Sequence, residues 1–260
     1  MTNKSIGFIG GGRVARIILK GWSRVGKLPN KIIVSDNNAD VLNKLKNEFQ
    51  HIETAVNNAK LPASCDVVLI GLHPPVVNEI LQEIKSVVNP SAIVISLAPK
   101  VSIAKLSEGL GGFKNIARIN PNAPSIVNAG YNPVSFSSAI SEERKKTVLE
   151  LFSLLGECPE VSEELLESFA ITTAMGPTYF WFQLYELQEL AKSIGLSAHT
   201  LKDAIPKMLN GALKTMYESG LTPAEVMDLV PVKPLGEEET TIKGFYQNRL
   251  NALYKKLKSQ

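Results

Sequence analysis

Continuous apolar runs alternate with amphipathic stretches along the first half of the chain. Asp66–Ile70 and Ala92–Ser96 are apolar at nearly every position, which is typical of parallel strands covered on both faces. The stretches between such runs place apolar residues at helical spacing. The pattern predicts an α/β, doubly wound sheet, with strands at Ser5–Ile9, Lys31–Ser35, Ile52–Ala55, Asp66–Ile70, Ala92–Ser96, Asn115–Ile119 and Tyr131–Phe136, and helices at Arg13–Val25, Ala39–Glu48, Pro75–Val87 and from Ser102 onward.

The pattern changes near Ser141, after which only Glu157–Val161 has the character of a short strand. Helical spacing dominates from there, with Gly or Pro at the breaks. The sequence therefore predicts an α/β domain over residues 1–158 and an all-α C-terminal domain over residues 159–260. The predicted helices of the second part are Ser162–Met175, Tyr179–Ile194, Ala198–Ser219, a short one capped by Thr222, and Thr241–Leu257.

The first strand leads directly into Gly10–Ala15, which has the form G-x-G-x-x-A. Gly10 permits a tight turn, Gly12 lets a pyrophosphate approach the backbone, and Ala15 lets the next helix pack closely. That helix offers unpaired N–H groups and its positive dipole end to the anion. The motif alone could be an ordinary turn, but its strand–turn–helix setting favours a dinucleotide site in a Rossmann-type domain.

The second strand is followed by Asp36, about 20–25 residues beyond the glycines, where a ribose-binding acid is expected. A carboxylate there accepts hydrogen bonds from the ribose 2′-OH of NAD and repels the 2′-phosphate of NADP. Arg13 opposes this preference, since it could reach a phosphate. We expect NAD(P)H as cofactor, with NADH favoured. The candidates from this region are Gly10, Gly11, Gly12, Arg13, Val14, Asp36 and Asn37.

Composition limits the other classes of function. A net charge of +3 is too small to indicate nucleic-acid binding. No apolar run approaches the roughly 18 residues of a membrane span, and Met1–Lys4 leads into a strand rather than a signal peptide. Cys65 and Cys158 lack metal-binding spacing, which predicts reduced thiols in a cytoplasmic protein. The three scattered histidines predict no metal site.

The predicted helix that begins at Tyr179 is apolar on most of its surface, and such helices are buried. Tyr179–Tyr185 reads Y-F-W-F-Q-L-Y. A helical domain of about 100 residues could bury this segment within its own core, but an obligate interface resembles a domain core cut in half. We therefore favour a homodimer or a higher homo-oligomer.

Several motifs occur in the order in which they occur in pyrroline-5-carboxylate reductases, and the resemblance covers nearly the whole chain. The most specific are the family's R-x-x-P-N-T-P and S-G-S-G-P-A-Y-F segments. Its A-V-K-P and S-x-A-A-G segments also have counterparts. The segments of this chain that carry the resemblance are Gly71–Pro74, Ser96–Lys100, Arg118–Pro124, Thr173–Phe180 and Leu209–Glu225.

The resemblance implies a Rossmann domain followed by a helical dimerisation domain, with NADPH or NADH reducing a cyclic imine in the last step of proline synthesis. It places Asn58 on the adenosine side of the cofactor. It also implies cofactor contacts for Leu72, His73 and Pro74, although His73 stands where the family has lysine. A structural loop histidine remains the alternative for His73.

The resemblance weakens at the family's S-P-G-G-T-T segment, which contacts substrate and corresponds to Val232–Thr241 here. By position Thr241 matches the threonine that faces the imine nitrogen, and Thr240 could supply a second hydroxyl or merely cap the last helix. Lys233 is a candidate for holding a carboxylate. The intervening Glu237–Glu239 would repel one if it faced the pocket, and otherwise forms an exposed loop.

Asn122, in the P-N-x-P segment, is a further candidate for contacting substrate or nicotinamide; an Asx turn is the alternative. The chain has no recognisable His–Asp or Ser–Lys set, which suits imine reduction because an iminium is already electrophilic. The leading hypothesis is an NAD(P)H-dependent reductase of a small cyclic imine. The alternatives are a non-catalytic nucleotide-binding paralogue and a dehydrogenase of another small substrate, such as a hydroxy acid.

Overall fold

A computed structural model describes residues 4–258 of the chain. Its strands are β1 (Ile6–Ile9), β2 (Ile32–Asp36), β3 (Glu53–Val56), β4 (Val67–Ile70), β5 (Ile93–Ser96), β6 (Ile116–Ile119), β7 (Gly130–Tyr131), β8 (Val134–Phe136) and β9 (Gly156–Glu157). Seven of them form one sheet in the order β3-β2-β1-β4-β5-β6-β8. All neighbours are parallel except β6 and β8. The predicted Rossmann-type sheet is confirmed.

Helices connect the strands and then make up the C-terminal part. They are α1 (Arg13–Arg24), α2 (Ala39–Glu48), α3 (Lys60–Ala63), α4 (Pro74–Ile84), α5 (Ile103–Gly109), α6 (Glu142–Ser153), α7 (Leu166–Phe169), α8 (Pro177–Ser193), α9 (Ala198–Glu218), α10 (Pro223–Asp228), α11 (Glu239–Phe245) and α12 (Asn251–Lys258). The predicted helical character of the second part is confirmed.

The sheet has an apolar layer on each face. On one face α1 and α6 contribute the fully buried Trp22 and Phe152, and the indole Nε1 of Trp22 donates to the carbonyl of Leu151 at 2.8 Å. On the other face α4 and α5 contribute Leu81 and Leu106. Strands β1, β4, β5 and β6 are buried at every position, because both of their faces are covered.

Two predicted strands differ from those observed. Tyr131–Phe136 is not one strand, because Pro133 has no N–H to donate and the chain changes partner there. Its first part, β7, pairs with β9, and its second part, β8, pairs with β6. The predicted strand Glu157–Val161 is reduced to β9 and a single bridge between Val134 and Glu160.

Two predicted helices are also less regular than expected. The helix predicted at Ser162–Met175 consists of a 3₁₀ turn at Glu163–Leu165, α7, and a π-helical turn at Ala170–Ala174. The last helix begins at Glu239 rather than Thr241 and contains a π-helical turn at Tyr246–Leu250 between α11 and α12. Thr240 therefore lies inside the first turn and is not a cap.

The described residues divide into two compact units. The first comprises residues 4–175 and 253–258, and the second comprises residues 176–252. The division thus follows Met175, later than the boundary predicted at residue 158. Residues 159–175, between the predicted and the observed boundary, belong with the sheet because Glu163 and Glu167 both pair with the buried Arg118 of β6. Among the described residues, no helix is both long and apolar enough to cross a bilayer.

Candidate nucleotide-binding and active site

The glycine turn after β1 has the geometry that its sequence predicts. Gly10 has a φ of 102°, which favours glycine, and a Cβ added there would lie 2.6 Å from the carbonyl oxygen of Gly71. The Gly10 N–H donates to the carbonyl of Ser35 at 2.8 Å. The turn is therefore fixed between the ends of β2 and β4.

Asp36, the last residue of β2, holds the same turn from the side. One carboxylate oxygen accepts a hydrogen bond from the Gly11 N–H at 2.8 Å. The other accepts from the Asn38 N–H at 2.9 Å. A carboxylate accepts more than two hydrogen bonds, so both oxygens retain capacity for hydroxyl donors. Asp36 thus joins the glycine turn to the position where a ribose would lie.

A cavity of about 400 Å³ lies at the carboxyl edge of the sheet beside this turn. The predicted cofactor residues that line it are Gly10, Gly12, Asp36, Asn37, Asn58, Leu72 and His73. Gly11, Arg13, Val14 and Pro74 are not among its lining residues. The structure therefore brings together residues from four separate turns, after β1, β2, β3 and β4, which are far apart in sequence.

Sequence reasoning missed several residues that line the cavity, among them Asn57, Val76, Ile80 and Glu83. Asn57 has a φ of 51°, and its N–H donates to the carbonyl of Asp36 at 3.0 Å. The available signal was the Asn57-Asn58 pair after a strand, because asparagine tolerates left-handed turns. The α4 side chains carried no such signal.

The start of α1 suits an anion. No side chain of the described residues caps this helix, and its first turn contains no acidic residue. A Cβ added at Gly12 would meet nothing within 4 Å, so the space beside its backbone is open. Unpaired N–H groups and an open approach are what a pyrophosphate requires. The residues present therefore fit a dinucleotide.

Leu72, His73 and Pro74 form the transition from β4 to α4. His73 is exposed and occupies the position before the helix, followed by Pro74 in the first helical turn. Proline is favourable at this position because the N–H group that it lacks would have no hydrogen-bond acceptor within the helix. Leu72 and His73 line the nucleotide cavity, whereas Pro74 lines a separate cavity with Lys100 and Lys105.

Asn122 is buried, with 7% of its surface exposed. Its Oδ1 accepts from the Tyr131 N–H at 3.1 Å, and its Nδ2 donates to the Thr173 carbonyl at 3.4 Å. Its own N–H donates to Oδ1 of Asn132. These bonds hold the turn after β6, and the predicted contact of Asn122 with substrate stays a prediction.

The substrate candidates of the second unit lie around the start of α11. Thr240 and Thr241 occupy its first turn, and both are exposed. Lys233 precedes it in a chain of turns, where its carbonyl accepts from the Gly236 N–H at 3.0 Å. Lys233 is exposed as well. Their predicted roles in catalysis and substrate binding stay predictions.

The acidic run before Thr240 is exposed at Glu237 and Glu238. Glu239 instead pairs with Lys243 one turn along the helix. The hydrogen bond from Lys243, and then its charge, lower the pKa of Glu239. All three residues face solvent at least in part, so the run is a negative surface beside Thr240 and Thr241.

A Rossmann sheet, a glycine turn with open space beside its last glycine, and an acid after β2 together define a dinucleotide-dependent oxidoreductase. A family model described as NADP oxidoreductase, coenzyme F420-dependent, matches residues 5–100. Pyrroline-5-carboxylate reductase of Pseudomonas aeruginosa is 26% identical to this chain over 254 residues, which is 97% of this chain and 92% of that protein.

Solved structures agree with this match. A pyrroline-5-carboxylate reductase from Coxiella burnetii is 28% identical, with a TM-score of 0.70, covering 98% of this chain and 95% of that chain. Pyrroline carboxylate reductase of Plasmodium falciparum, solved with NADP bound, has the same fold, with a TM-score of 0.82 at 21% identity and coverage of 100% and 98%. The chain is thus similar to pyrroline-5-carboxylate reductases over nearly its whole length, as its motifs indicate.

Proposed function

We propose that this protein reduces a small cyclic imine with a nicotinamide cofactor, and that pyrroline-5-carboxylate is the substrate to test first. The observation that carries the proposal is the cavity built from Gly10, Gly12 and Asp36 at the carboxyl edge of the sheet. Relatives that span nearly the whole chain and are named pyrroline-5-carboxylate reductases support the choice of substrate. Proline synthesis is the corresponding pathway.

The arrangement of the cavity favours NADH as the cofactor. Asp36 offers carboxylate oxygens to ribose hydroxyls and would repel a 2′-phosphate, and it is held in place by the Gly11 N–H. The glycine turn and the start of α1 would hold the pyrophosphate. Arg13, exposed in the first turn of α1, is the cation available if NADPH is used instead.

The chemistry that the bound nicotinamide supplies is a hydride, which adds to the imine carbon as the C=N bond becomes C–N. Protonation of the ring nitrogen before transfer makes the carbon electrophilic, and the nitrogen keeps that proton in the amine product. Thr241 would accept a hydrogen bond from this protonated nitrogen, with Thr240 as a second hydroxyl. The protein's task is to position the imine and exclude water.

The assembly that we propose follows from exposed apolar side chains in the second unit. Phe182 and Tyr185 on α8 are exposed by 67% and 68%, and such apolar surfaces mark interaction sites. We propose that a second copy of this chain covers them.

Cys65 and Cys158 are both unpaired, which suits a reducing compartment such as the cytoplasm.

The test follows absorbance at 340 nm with NADH or NADPH in the presence of pyrroline-5-carboxylate and a small set of other cyclic imines. We expect oxidation of the cofactor, with a higher kcat/KM for NADH. Thr241→Ala should lower kcat, whereas Thr241→Ser should retain most of it because the hydroxyl remains.

Three outcomes would contradict parts of the proposal. Cofactor binding without turnover of any imine would favour the non-catalytic paralogue, for which the acidic run Glu237–Glu239 beside Thr241 provides an argument. Turnover that is unaffected by Thr241→Ala would remove the role of Thr241. Turnover of a hydroxy acid instead of an imine would make the protein a dehydrogenase of another substrate.

A further inference from the structure

One end of the nucleotide cavity lies beyond Asp36. Asn57, Asn58 and Ala59, in the turn after β3, line the cavity there. Strand β3 lies beyond β2 in the sheet order β3-β2-β1-β4, and the Asn57 N–H donates to the Asp36 carbonyl at 3.0 Å. With a pyrophosphate at the glycine turn and a ribose at Asp36, this end is where the base attached to that ribose would lie.

Helix α4 reaches this end of the cavity because it packs against α3, which begins directly after Ala59. The side chains that α4 contributes to the cavity are Val76, Ile80 and Glu83. Spacings of four and three residues place them on one face of the helix. The neighbouring face, with Val77, Leu81 and Ile84, is buried in the core. The sheet and the nucleotide cavity are therefore served by two different faces of α4.

Two apolar side chains of α4 are only partly used by the core. Val76 is exposed by 44%, and Ile80 is half-buried. They lie one helical turn apart and form an apolar wall of the cavity. Small-molecule sites combine such walls with a few polar groups, and every nucleic-acid base has a flat face that packs on them. The wall therefore suits the face of a purine.

Glu83 places a carboxylate beside this apolar wall. Its side chain is exposed, and no cation of the described residues forms an ion pair with it. A carboxylate accepts hydrogen bonds and donates none. Adenine has a donor, the N6 amino group, where guanine has an acceptor oxygen, and hypoxanthine also has an oxygen there. A carboxylate at the edge of the base thus distinguishes adenine from both.

We propose that Glu83 accepts a hydrogen bond from the adenine N6 amino group while Val76 and Ile80 contact the base, so that Glu83 determines specificity for an adenine dinucleotide. The inference rests on the proposed function, in which this cavity binds NADH or NADPH, but it does not depend on the substrate. With hypoxanthine in place of adenine, the carboxylate would face an oxygen and neither group would have a donor.

Calorimetric titration of the protein with NADH and with reduced nicotinamide hypoxanthine dinucleotide tests this role, because an oxygen replaces the amino group in the second compound. We expect the wild type to bind NADH about 10-fold more tightly, as for a hydrogen bond to a charged group. In Glu83→Gln the ratio should fall below about threefold, because the amide can also donate to the oxygen. The melting temperature should not change, since Glu83 is exposed.

Glu79→Gln is the matched control. Glu79 is an exposed carboxylate on the same helix that does not line the cavity, so its loss should leave both affinities unchanged. Val76→Ala separates the wall from the edge of the base. It should weaken both dinucleotides by the same factor, at least about twofold, and leave their ratio as in the wild type, because the two purines have the same flat face.

Three results would overturn the proposal. Equal affinity of the wild type for the two dinucleotides would show that the N6 position is not recognised. A ratio that Glu83→Gln does not change would assign the recognition to another residue. An equal loss of both affinities in Glu83→Gln would assign the carboxylate to a ribose hydroxyl.

The titrations need no imine, so they separate this inference from the proposed function. If the protein reduces no imine, the proposed function fails while the two affinities still decide the role of Glu83. If imines are reduced and the ratio is unaffected by Glu83→Gln, the inference fails alone. If neither dinucleotide binds, both fail.

Discussion

At the residue scale, Gly10 and Gly12 have different reasons to be glycine. Gly10 has a positive φ, and a Cβ added there would lie 2.6 Å from the carbonyl oxygen of Gly71. Gly12 has an ordinary φ of −71°, and a Cβ added there would enter open space. We expect Gly10→Ala to lower the free energy of unfolding by about 1–3 kcal/mol from the backbone conformation alone, with the clash in addition. Urea denaturation measures this loss.

Gly12→Ala is the matched variant with the opposite expectation. Its Cβ would enter the space beside the start of α1, so we expect unchanged stability but weaker dinucleotide binding, by about tenfold or more, which is 1.4 kcal/mol. Calorimetric titration with NADH measures the affinity. Equal affinity of Gly12→Ala and wild type would show that the pyrophosphate does not approach this backbone.

The charge of Asp36 is the next residue-scale determinant. Asp36→Asn removes the charge but keeps an oxygen that can accept from the Gly11 N–H, so the turn should persist. We expect the ratio of kcat/KM for NADPH to that for NADH to rise about tenfold, or 1.4 kcal/mol, because the 2′-phosphate is no longer repelled. Asp40→Asn, in the first turn of α2 and outside the cavity, should leave the ratio unchanged. A ratio that does not move in Asp36→Asn would contradict the assignment.

The sequence allowed part of this site to be predicted, for a physical reason. Gly10, Gly12 and Asp36 are identified because the turn and the strand end require particular residue types at a fixed spacing. Val76 and Ile80 could not be found in this way, because ordinary helix residues reach the cavity only through the packing of α4. Their contribution depends on three-dimensional placement and not on residue type.

At the scale of elements, Arg118 connects β6 to the segment that follows β9. Its side chain is buried, with 4% exposed, and its guanidinium donates to Glu163 and Glu167 at 2.8 Å each. Glu163 also accepts from the Ile103 N–H. This cluster explains why the irregular Glu163–Ala174 segment belongs with the sheet, a fact that hydrophobic periodicity could not convey.

Arg118→Met should therefore be strongly destabilising, because it leaves carboxylates without their buried partner. We expect a loss of about 3–5 kcal/mol in the free energy of unfolding. Lys146→Met is the control, since Lys146 pairs with Glu150 at 4.0 Å on an exposed surface, where such pairs contribute about 0–1 kcal/mol. Urea denaturation of both variants measures the difference. Equal losses would show that the cluster is not a determinant of stability.

The predicted bounds differ from the observed bounds mainly at irregular elements. Strong periodicity identified α1, α2 and α9 with ends close to those observed. Tyr131–Phe136 was divided because Pro133 interrupts the ladder, and the helix after Ser162 contains a π-helical turn that periodicity does not distinguish from an α-helix. Tertiary contacts determine the local structure of these two segments.

At the scale of the whole molecule, the two units differ in how much apolar surface they bury. The sheet unit has two extensive buried clusters. In residues 176–252 the buried apolar side chains are Ala191 and Leu201. Helix α8 alone exposes Phe180, Trp181, Phe182, Tyr185, Leu187 and Leu190. A surface of this kind on a separate chain is a liability for solubility, so a second copy should cover it.

We therefore expect the protein to sediment as a dimer or a higher oligomer in analytical ultracentrifugation. Phe182→Glu should shift it toward the monomer, because a charge buried at an interface without a partner is costly. Val127→Glu, at an exposed apolar residue of the sheet unit, should leave the mass unchanged and control for the added charge. A monomeric wild type at micromolar concentration would mean that a different partner covers α8. If Phe182→Glu is monomeric, retains NADH binding and loses turnover, the helical unit contributes to catalysis only when it is assembled.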